Sequence, residues 1–318
     1  MPLTYDPDYA KALEPLLSIF EAQPKLNAHD IQGRRERIEG NLKQMKLSEV
    51  PDISIETIQI QSHDGAAIDL LRIFPSKSSH GKTVPAYVHA HGGGMIAGSA
   101  AMFSSAVAHT VAATGIQFFS VDYRKAPEHT APSATEDMYA ALVWVQLNAS
   151  RFNINPARIG VTGESAGGGI AAGVAIMARD RKLQPELAKQ VLIYPMLDDR
   201  NLTPIPDVEH LASWNAEDNL TGWTAYLGEG AGKDHVSPYA APARVATVEG
   251  LPPLYIDVGE LDIYKSENIE YVLRFARANI TTELHLYPGL PHGWEAIAPT
   301  IPPTVRAVEN RIRAWKAI

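Results

Sequence analysis

Cysteine is absent from all 318 residues, which excludes disulfides, thiolate metal sites and a cysteine nucleophile. A cysteine-free chain suits a reducing compartment, so a cytoplasmic setting is the expectation. Long apolar runs are missing too. The longest candidate, residues 170–178, falls well short of the ~18 residues a membrane-spanning helix needs, so no integral membrane segment is expected. The opening MPLTYDPDYAKALEPLL carries early acids and no apolar stretch behind a basic start, unlike a secretory signal. Runs of basic residues are also lacking. With 28 Lys and Arg against 36 Asp and Glu, the formal charge is −8 and the pI about 5.8. A mildly acidic surface disfavours a phosphate backbone, so nucleic acid is not an expected partner. No internal repeat, low-complexity tract or flexible linker interrupts the chain.

What is present suits a folded domain with a sizeable core: 45% of residues are hydrophobic and 20% charged. Leu13, Leu16, Leu17 and Phe20 recur at i, i+3, i+4, i+7 and predict an amphipathic helix. Ile31, Ile38, Leu42 and Met45 predict a second, with Asp30 as its cap and Pro24 between the two. The period then shortens. Ile53, Ile55, Ile58 and Ile60, then Ile68, Leu70 and Ile73 after the turn signal Asp64-Gly65, predict a β-hairpin.

From Val84 onward short apolar runs alternate with helical patterns. The runs are 86–90, 116–121, 159–163, 191–194, 254–258 and 284–287. Helical patterns cover 134–147, 166–178, 264–278 and 304–315. Such alternation predicts right-handed βαβ units and an α/β fold with a mostly parallel sheet of about eight strands, the hairpin adding an antiparallel edge. Residues 198–243 break the rhythm and hold Trp214, Trp223, Tyr226 and Tyr239. A stretch that long inside an α/β unit predicts a functional insertion. The expected organisation is a catalytic domain over 51–318 with a cap built from residues 1–50 and an insertion near 199–243.

Gly163-Glu164-Ser165-Ala166-Gly167 reads G-x-S-x-G between a strand and a helix. That context fits a nucleophile elbow, where small neighbours let a serine sit in a strained turn. His91-Gly92-Gly93-Gly94 follows the strand 86–90. Consecutive glycines leave backbone amides free to approach a developing negative charge, together with the amide of Ala166. A phosphate loop is disfavoured, since no G-K-[ST] or G-x-G-x-x-G spacing follows. His91 is expected to shape this loop, not to act as a base.

A serine hydroxyl needs a base. His292 stands in the Gly- and Pro-rich loop 288–293 after the last strand, at the sheet edge where open α/β folds build their sites. An acid must hold its tautomer. Asp262 follows the strand 254–258; Asp257 within that strand and Asp198 after the strand 191–194 are its rivals. The order serine, acid, histidine is that of the α/β-hydrolases.

His91-Gly92-Gly93-Gly94, Asp122-Tyr123-Arg124-Lys125-Ala126-Pro127-Glu128-His129, Gly163–Gly168, Asp262 and His292-Gly293 occur in this order. Together they resemble the hormone-sensitive-lipase family of α/β-hydrolases, in its microbial esterase branch. The resemblance runs from about residue 50 to the end and is weaker in the N-terminal helices. It implies a triad of Ser165, Asp262 and His292, oxyanion donors at Gly93, Gly94 and Ala166, a helical cap, and neither cofactor nor metal. Met95, Lys125, Ser266 and Trp294 depart from the family pattern outside the triad. The segment 122–129 is expected to fix a turn behind the site through an Arg124–Glu128 pair.

The activity expected is hydrolysis of short- to medium-chain acyl esters, a small molecule being the partner; a homodimer stays open. The same machinery also serves amides, lactones or carbamates. A non-catalytic small-molecule receptor is the reading of another class, and the presence of His292 with its acid argues against it.

Overall fold

The computed structural model describes residues 2–44, 48–77 and 83–318. Its strands are β1 (Ile53–Gln61), β2 (Ala67–Pro75), β3 (Val84–Ala90), β4 (Gln117–Val121), β5 (Ile154–Glu164), β6 (Gln190–Ile193), β7 (Leu254–Gly259) and β8 (Thr282–Tyr287). They form one sheet in the order β1-β2-β4-β3-β5-β6-β7-β8. β1 with β2 and β2 with β4 are antiparallel, and every other pair is parallel. The predicted hairpin is therefore the antiparallel edge. Edge strand β1 alternates in burial, whereas β7 is buried throughout, as expected of a strand covered on both faces.

Helices cover both faces: α1 (Pro7–Leu13), α2 (Leu17–Glu21), α3 (Ile31–Gln44), α4 (Ala100–Thr114), α5 (Ser133–Leu147), α6 (Ala166–Asp180), α7 (Ala216–Leu227), α8 (Lys265–Arg277) and α9 (Pro302–Lys316). α6 is buried from Ala166 to Ala178. Its Ala- and Gly-rich sequence lets it press against the sheet, where larger side chains would hold it off. α4 escaped the sequence reading because its alanines give no clear apolar stripe. It is capped by Ser99 Oγ, which accepts from the Met102 N–H, and ends at Gly115 with φ 72°.

The N-terminal region departs from expectation. The single helix expected around 13–20 is broken by a 3₁₀ turn at Glu14–Leu16, where Pro15 supplies no N–H. Of its apolar face only Leu13 is buried; Leu17 and Phe20 are exposed, as is Ile19. α1 packs on the loop after β8, not on the insertion: Tyr9 and Leu13 cluster with Tyr287, Leu290 and Trp294, and the Asp6 N–H donates to Gly289 O at 2.8 Å. Tyr5, just before α1, reaches the insertion by donating to Leu211 O at 3.0 Å.

α3 forms where expected, but its buried residue is Arg34, and Ile31, Ile38 and Leu42 of the expected apolar face are only half-buried. Asp30 caps it, accepting the Gly33 N–H at 2.9 Å. Met45, read as part of its face, lies outside the described residues. α3 docks on α7 within the insertion. Arg34, 1% exposed, donates through Nε to Asp218 Oδ1 at 2.8 Å, and Arg37 Nη2 donates to the same oxygen at 2.7 Å. The His29 N–H donates to Thr221 Oγ1 at 3.0 Å. Without Arg34, Asp218 would keep only the more exposed Arg37, and the bonds from Arg34 Nη1 to Asn27 O and Asp30 O would be lost as well. Arg34→Met should therefore weaken the docking of α3 by about 3 kcal/mol. The amides of residues 31–44 should then exchange about two orders of magnitude faster. Arg37→Met, which removes the more exposed partner, should change them far less; equal exchange in wild type and Arg34→Met would refute the anchor.

Candidate active site

The parallel strands end in register. Ala90 of β3 lies beside Gly163 of β5, Glu164 beside Ile193 of β6, Ile193 beside Asp257 of β7, and Gly259 beside Tyr287 of β8. The segments 91–94, 165, 194, 260–262 and 288–292 therefore leave the sheet along one edge.

Ser165 occupies the turn from β5 into α6 with φ 57° and ψ −123°. This left-handed backbone is uncommon for a non-glycine residue. It is held from both sides: the Ser165 N–H donates to Ile193 O at 2.9 Å, and its carbonyl accepts from Gly169 and Met196. Room is scarce around the turn. A Cβ on Gly163 would lie 2.4 Å from the Gly167 backbone, and one on Gly167 would lie 2.0 Å from Ala90 O. Both motif glycines are thus required by close backbone approach.

His292 Nε2 stands 2.9 Å from Ser165 Oγ, and its Nδ1 stands 2.6 Å from Asp262 Oδ2. Asp262 is buried, and its Oδ1 accepts the Tyr264 N–H at 2.9 Å. Both carboxylate oxygens are thereby fixed, and the imidazole is set between hydroxyl and carboxylate. Tyr194 and Tyr264 flank the ring in edge-to-face contact at centroid distances of 4.6 and 5.2 Å. Ser213 Oγ donates to the His292 carbonyl at 2.5 Å, tying the insertion to this loop. Neither rival acid reaches the histidine. Asp257 is bound by Arg311 and Tyr255, and Asp198 pairs with Arg200.

The glycine turn lies against the serine: a Cβ on Gly92 would be 3.4 Å from Ser165 Cβ. Gly93 has φ 123° and Gly94 φ 61°. The Gly93 carbonyl accepts the N–H of Ile96 and of Ala97. Among the described residues, the amides of Gly93, Gly94 and Ala166 have no acceptor. The Gly92 amide differs, since it donates to Glu164 Oε1 at 3.0 Å. His91 is wholly buried and donates from Nδ1 to Gly92 O at 2.7 Å. That bond holds the peptide unit carrying the Gly93 N–H. Burial pulls the His91 pKa down to about 3, with Lys125 adding to the shift, so the ring stays neutral. It stacks on Tyr123 at 4.3 Å and shapes the turn, as the sequence suggested.

The Arg124–Glu128 pair does not form. Arg124 binds Asp137 on α5 and Asp64 in the hairpin turn, whereas Glu128 pairs with Arg35 of α3. Arg35 also donates to Ile96 O and Ala126 O, both at 2.7 Å, which clamps α3 to the far end of the glycine turn. Residues distant in sequence supply the partners, so a pairing by nearness within 122–129 was misled. Sequence reasoning also missed Tyr194, Tyr264 and Asn219. Asn219 Oδ1 accepts from Tyr264 Oη at 2.8 Å and from Trp214 Nε1 at 3.5 Å. The Trp214 ring covers the glycine turn so closely that a Cβ on Gly94 would lie 2.5 Å from it. Only the aromatic enrichment of 198–243 hinted at this contact.

A hydroxyl, an imidazole and a carboxylate linked in series can pass a proton from the hydroxyl as it attacks an acyl carbon, with unpaired amides at hand for the resulting oxyanion. A model of the α/β-hydrolase fold family matches residues 87–296. Esterase LipI of Mycobacterium tuberculosis is 31% identical, with 98% of this chain and 97% of that protein covered. Carboxylesterase NlhH of the same organism is also 31% identical, over 99% and 98%. Among solved structures, a bacterial heroin esterase superposes with a TM-score of 0.88 at 32% identity, covering 99% of this chain and 98% of that one. A hyperthermophilic esterase from the archaeon Pyrobaculum calidifontis gives 0.83 at 29% identity, over 100% and 99%. The chain thus belongs to the α/β-hydrolase family in its hormone-sensitive-lipase-like branch, and it is a serine carboxylic ester hydrolase.

Proposed function

We propose that Ser165 is the nucleophile, His292 the general base and Asp262 the acid that orients it. The observation that carries this reading is the single imidazole bonded to Ser165 Oγ on one side and Asp262 Oδ2 on the other. Ser165 Oγ attacks the ester carbonyl while His292 Nε2 takes its proton. The tetrahedral oxyanion is held by the amides of Gly93, Gly94 and Ala166. As the C–O bond breaks, His292 returns the proton to the leaving alkoxide, and an acyl-enzyme remains. A water then attacks that ester, His292 again taking the proton, and collapse releases the acid and restores Ser165.

Ser165→Ala should remove turnover and keep the fold, since one oxygen leaves a turn that already admits only small groups. Asp262→Asn should lower kcat by about four orders of magnitude, as the wrong imidazole tautomer is then held. Asp198→Asn should leave kcat within a few-fold. Steady-state hydrolysis of an activated acetyl ester checks all three. Near-wild-type rates for Ser165→Ala, or a greater loss for Asp198→Asn than for Asp262→Asn, would overturn the assignment.

The substrate belongs to the short- to medium-chain acyl esters, and the catalytic unit of 51–318 is capped by residues 1–50 and the insertion 199–243. Trp214 supports this reading, because it is 8% exposed and its ring lies directly on Gly94. A wall so close to the reacting carbonyl limits the acyl chain that can lie beside it. Trp214→Ala should raise kcat/KM for a long acyl ester relative to acetyl by about tenfold or more. An unchanged profile across acyl lengths from acetyl to dodecanoyl would show that the ring does not bound the pocket.

A further inference from the structure

Glu164 is the variable position of G-x-S-x-G, and the mechanism above gives it no task. Its surroundings are specific. Oε1 accepts the Gly92 N–H at 3.0 Å, and Oε2 accepts from His89 Nε2 at 2.9 Å. His89, 4% exposed within β3, has its other nitrogen 2.8 Å from Ser120 Oγ on β4. With Nε2 donating to the carboxylate, Nδ1 is left to accept from the serine hydroxyl, so every group in the line is satisfied. Three adjacent strands, β4, β3 and β5, thus converge through Ser120, His89 and Glu164 on one backbone amide. Burial raises the Glu164 pKa, but His89 and the Gly92 amide outweigh it, and the carboxyl is held below its ordinary range as an acceptor.

The glycine turn needs such a hold. Three successive glycines have little conformational preference of their own. The Gly92 carbonyl is fixed by His91 Nδ1 and the Gly93 carbonyl by Ile96 and Ala97. The Gly92 amide is fixed by Glu164 alone among the described residues. Losing that bond leaves the peptide unit just before the one that carries the Gly93 donor held, among the described residues, at its carbonyl alone, where His91 O accepts from Tyr123 Oη at 2.8 Å. An oxyanion donor acts by being aimed in advance, so a loosened turn costs transition-state binding, not substrate binding.

We propose that Glu164 is a positioning residue for oxyanion binding, holding the Gly92 amide so that the Gly93 and Gly94 amides stay aimed, with His89 and Ser120 fixing the carboxylate from behind. The inference rests on the assignment of Ser165 as nucleophile and of those amides as oxyanion donors. It requires an acceptor that reaches Gly92, and the charge is not what matters. Glutamine retains such an acceptor, because His89 can exchange tautomers and accept from the new amide.

The test compares wild type, Glu164→Ala, Glu164→Met and Glu164→Gln, each checked for fold by circular dichroism. A fluorophosphonate probe reports the serine, and a trifluoromethyl ketone, whose adduct with the serine carries the oxyanion, reports the amides. Glu164→Ala or Glu164→Met should lower kcat and weaken the ketone by a matching factor of about 10–100. KM should stay within about threefold, and Glu164→Gln should remain near wild type. If the alanine variant does not fold, methionine, which keeps the side-chain volume, carries the comparison. The inference falls if folded alanine or methionine variants keep kcat and ketone affinity. It also falls if Glu164→Gln loses as much as they do, or if kcat drops with ketone binding unchanged. Absence of fluorophosphonate labelling in the wild type would instead overturn the nucleophile assignment and the inference with it, which separates the two failures.

Discussion

Ser165 holds a left-handed backbone at the junction of β5 and α6, a conformation that costs a non-glycine residue about 1–3 kcal/mol. Its surroundings leave no alternative. The strand delivers the chain beside β6, where Ile193 takes the Ser165 N–H, and the helix that follows is pressed into the sheet by its alanines and glycines. Gly163 and Gly167 meet across the turn at distances no side chain could share. The remaining features of the site are arranged around this fixed point.

Two loops meet at the serine, and each is secured by polar side chains from elsewhere. The glycine turn is held by Glu164 and His91 at one end and by Arg35 of α3 at the other. The histidine loop is braced from α9. Arg311 Nη1 donates to Glu295 at 2.7 Å, Glu295 accepts from Tyr194 Oη at 2.8 Å, and the Tyr194 ring packs on His292. Isolated surface pairs contribute little, but Arg311 and Asp257 are nearly inaccessible, and each satisfies the other. Such networks favour one arrangement of a loop over its neighbours.

The insertion joins both loops. Trp214 lies on Gly94, Ser213 holds the His292 carbonyl, and Asn219 accepts from Trp214 and Tyr264, the latter flanking the histidine. α3 is anchored to the same insertion through Arg34 and Asp218. Among the described residues, the N-terminal segment therefore reaches Ser165 and His292 through intermediaries. α2 buries none of its large apolar side chains, and no helix among the described residues is long and apolar enough to cross a membrane.

Much of the sheet was legible in the sequence, because strands buried on both faces read as unbroken apolar runs and the βαβ rhythm restricts their order. The elbow and the glycine turn were legible because each needs a backbone geometry that only certain residues permit, whereas His292 and Asp262 were picked by their places after the last strands and by the family resemblance, with Asp257 and Asp198 left as rivals. α4 and the start of β5 were less legible, as an alanine-rich helix and a polar strand end carry little periodic signal. The partners of Arg124 and Glu128 could not be read, since Asp137, Asp64 and Arg35 come from three separate elements. The same holds for the ring over Gly94 and the carboxylate on Gly92. Sequence by itself determined the fold class and named the serine, acid and histidine side chains that the structure brings together, because those follow from local pattern and strand order. Tertiary structure alone decided which side chains hold the two loops and what bounds the space beside the serine, because those contacts join residues that only packing brings together.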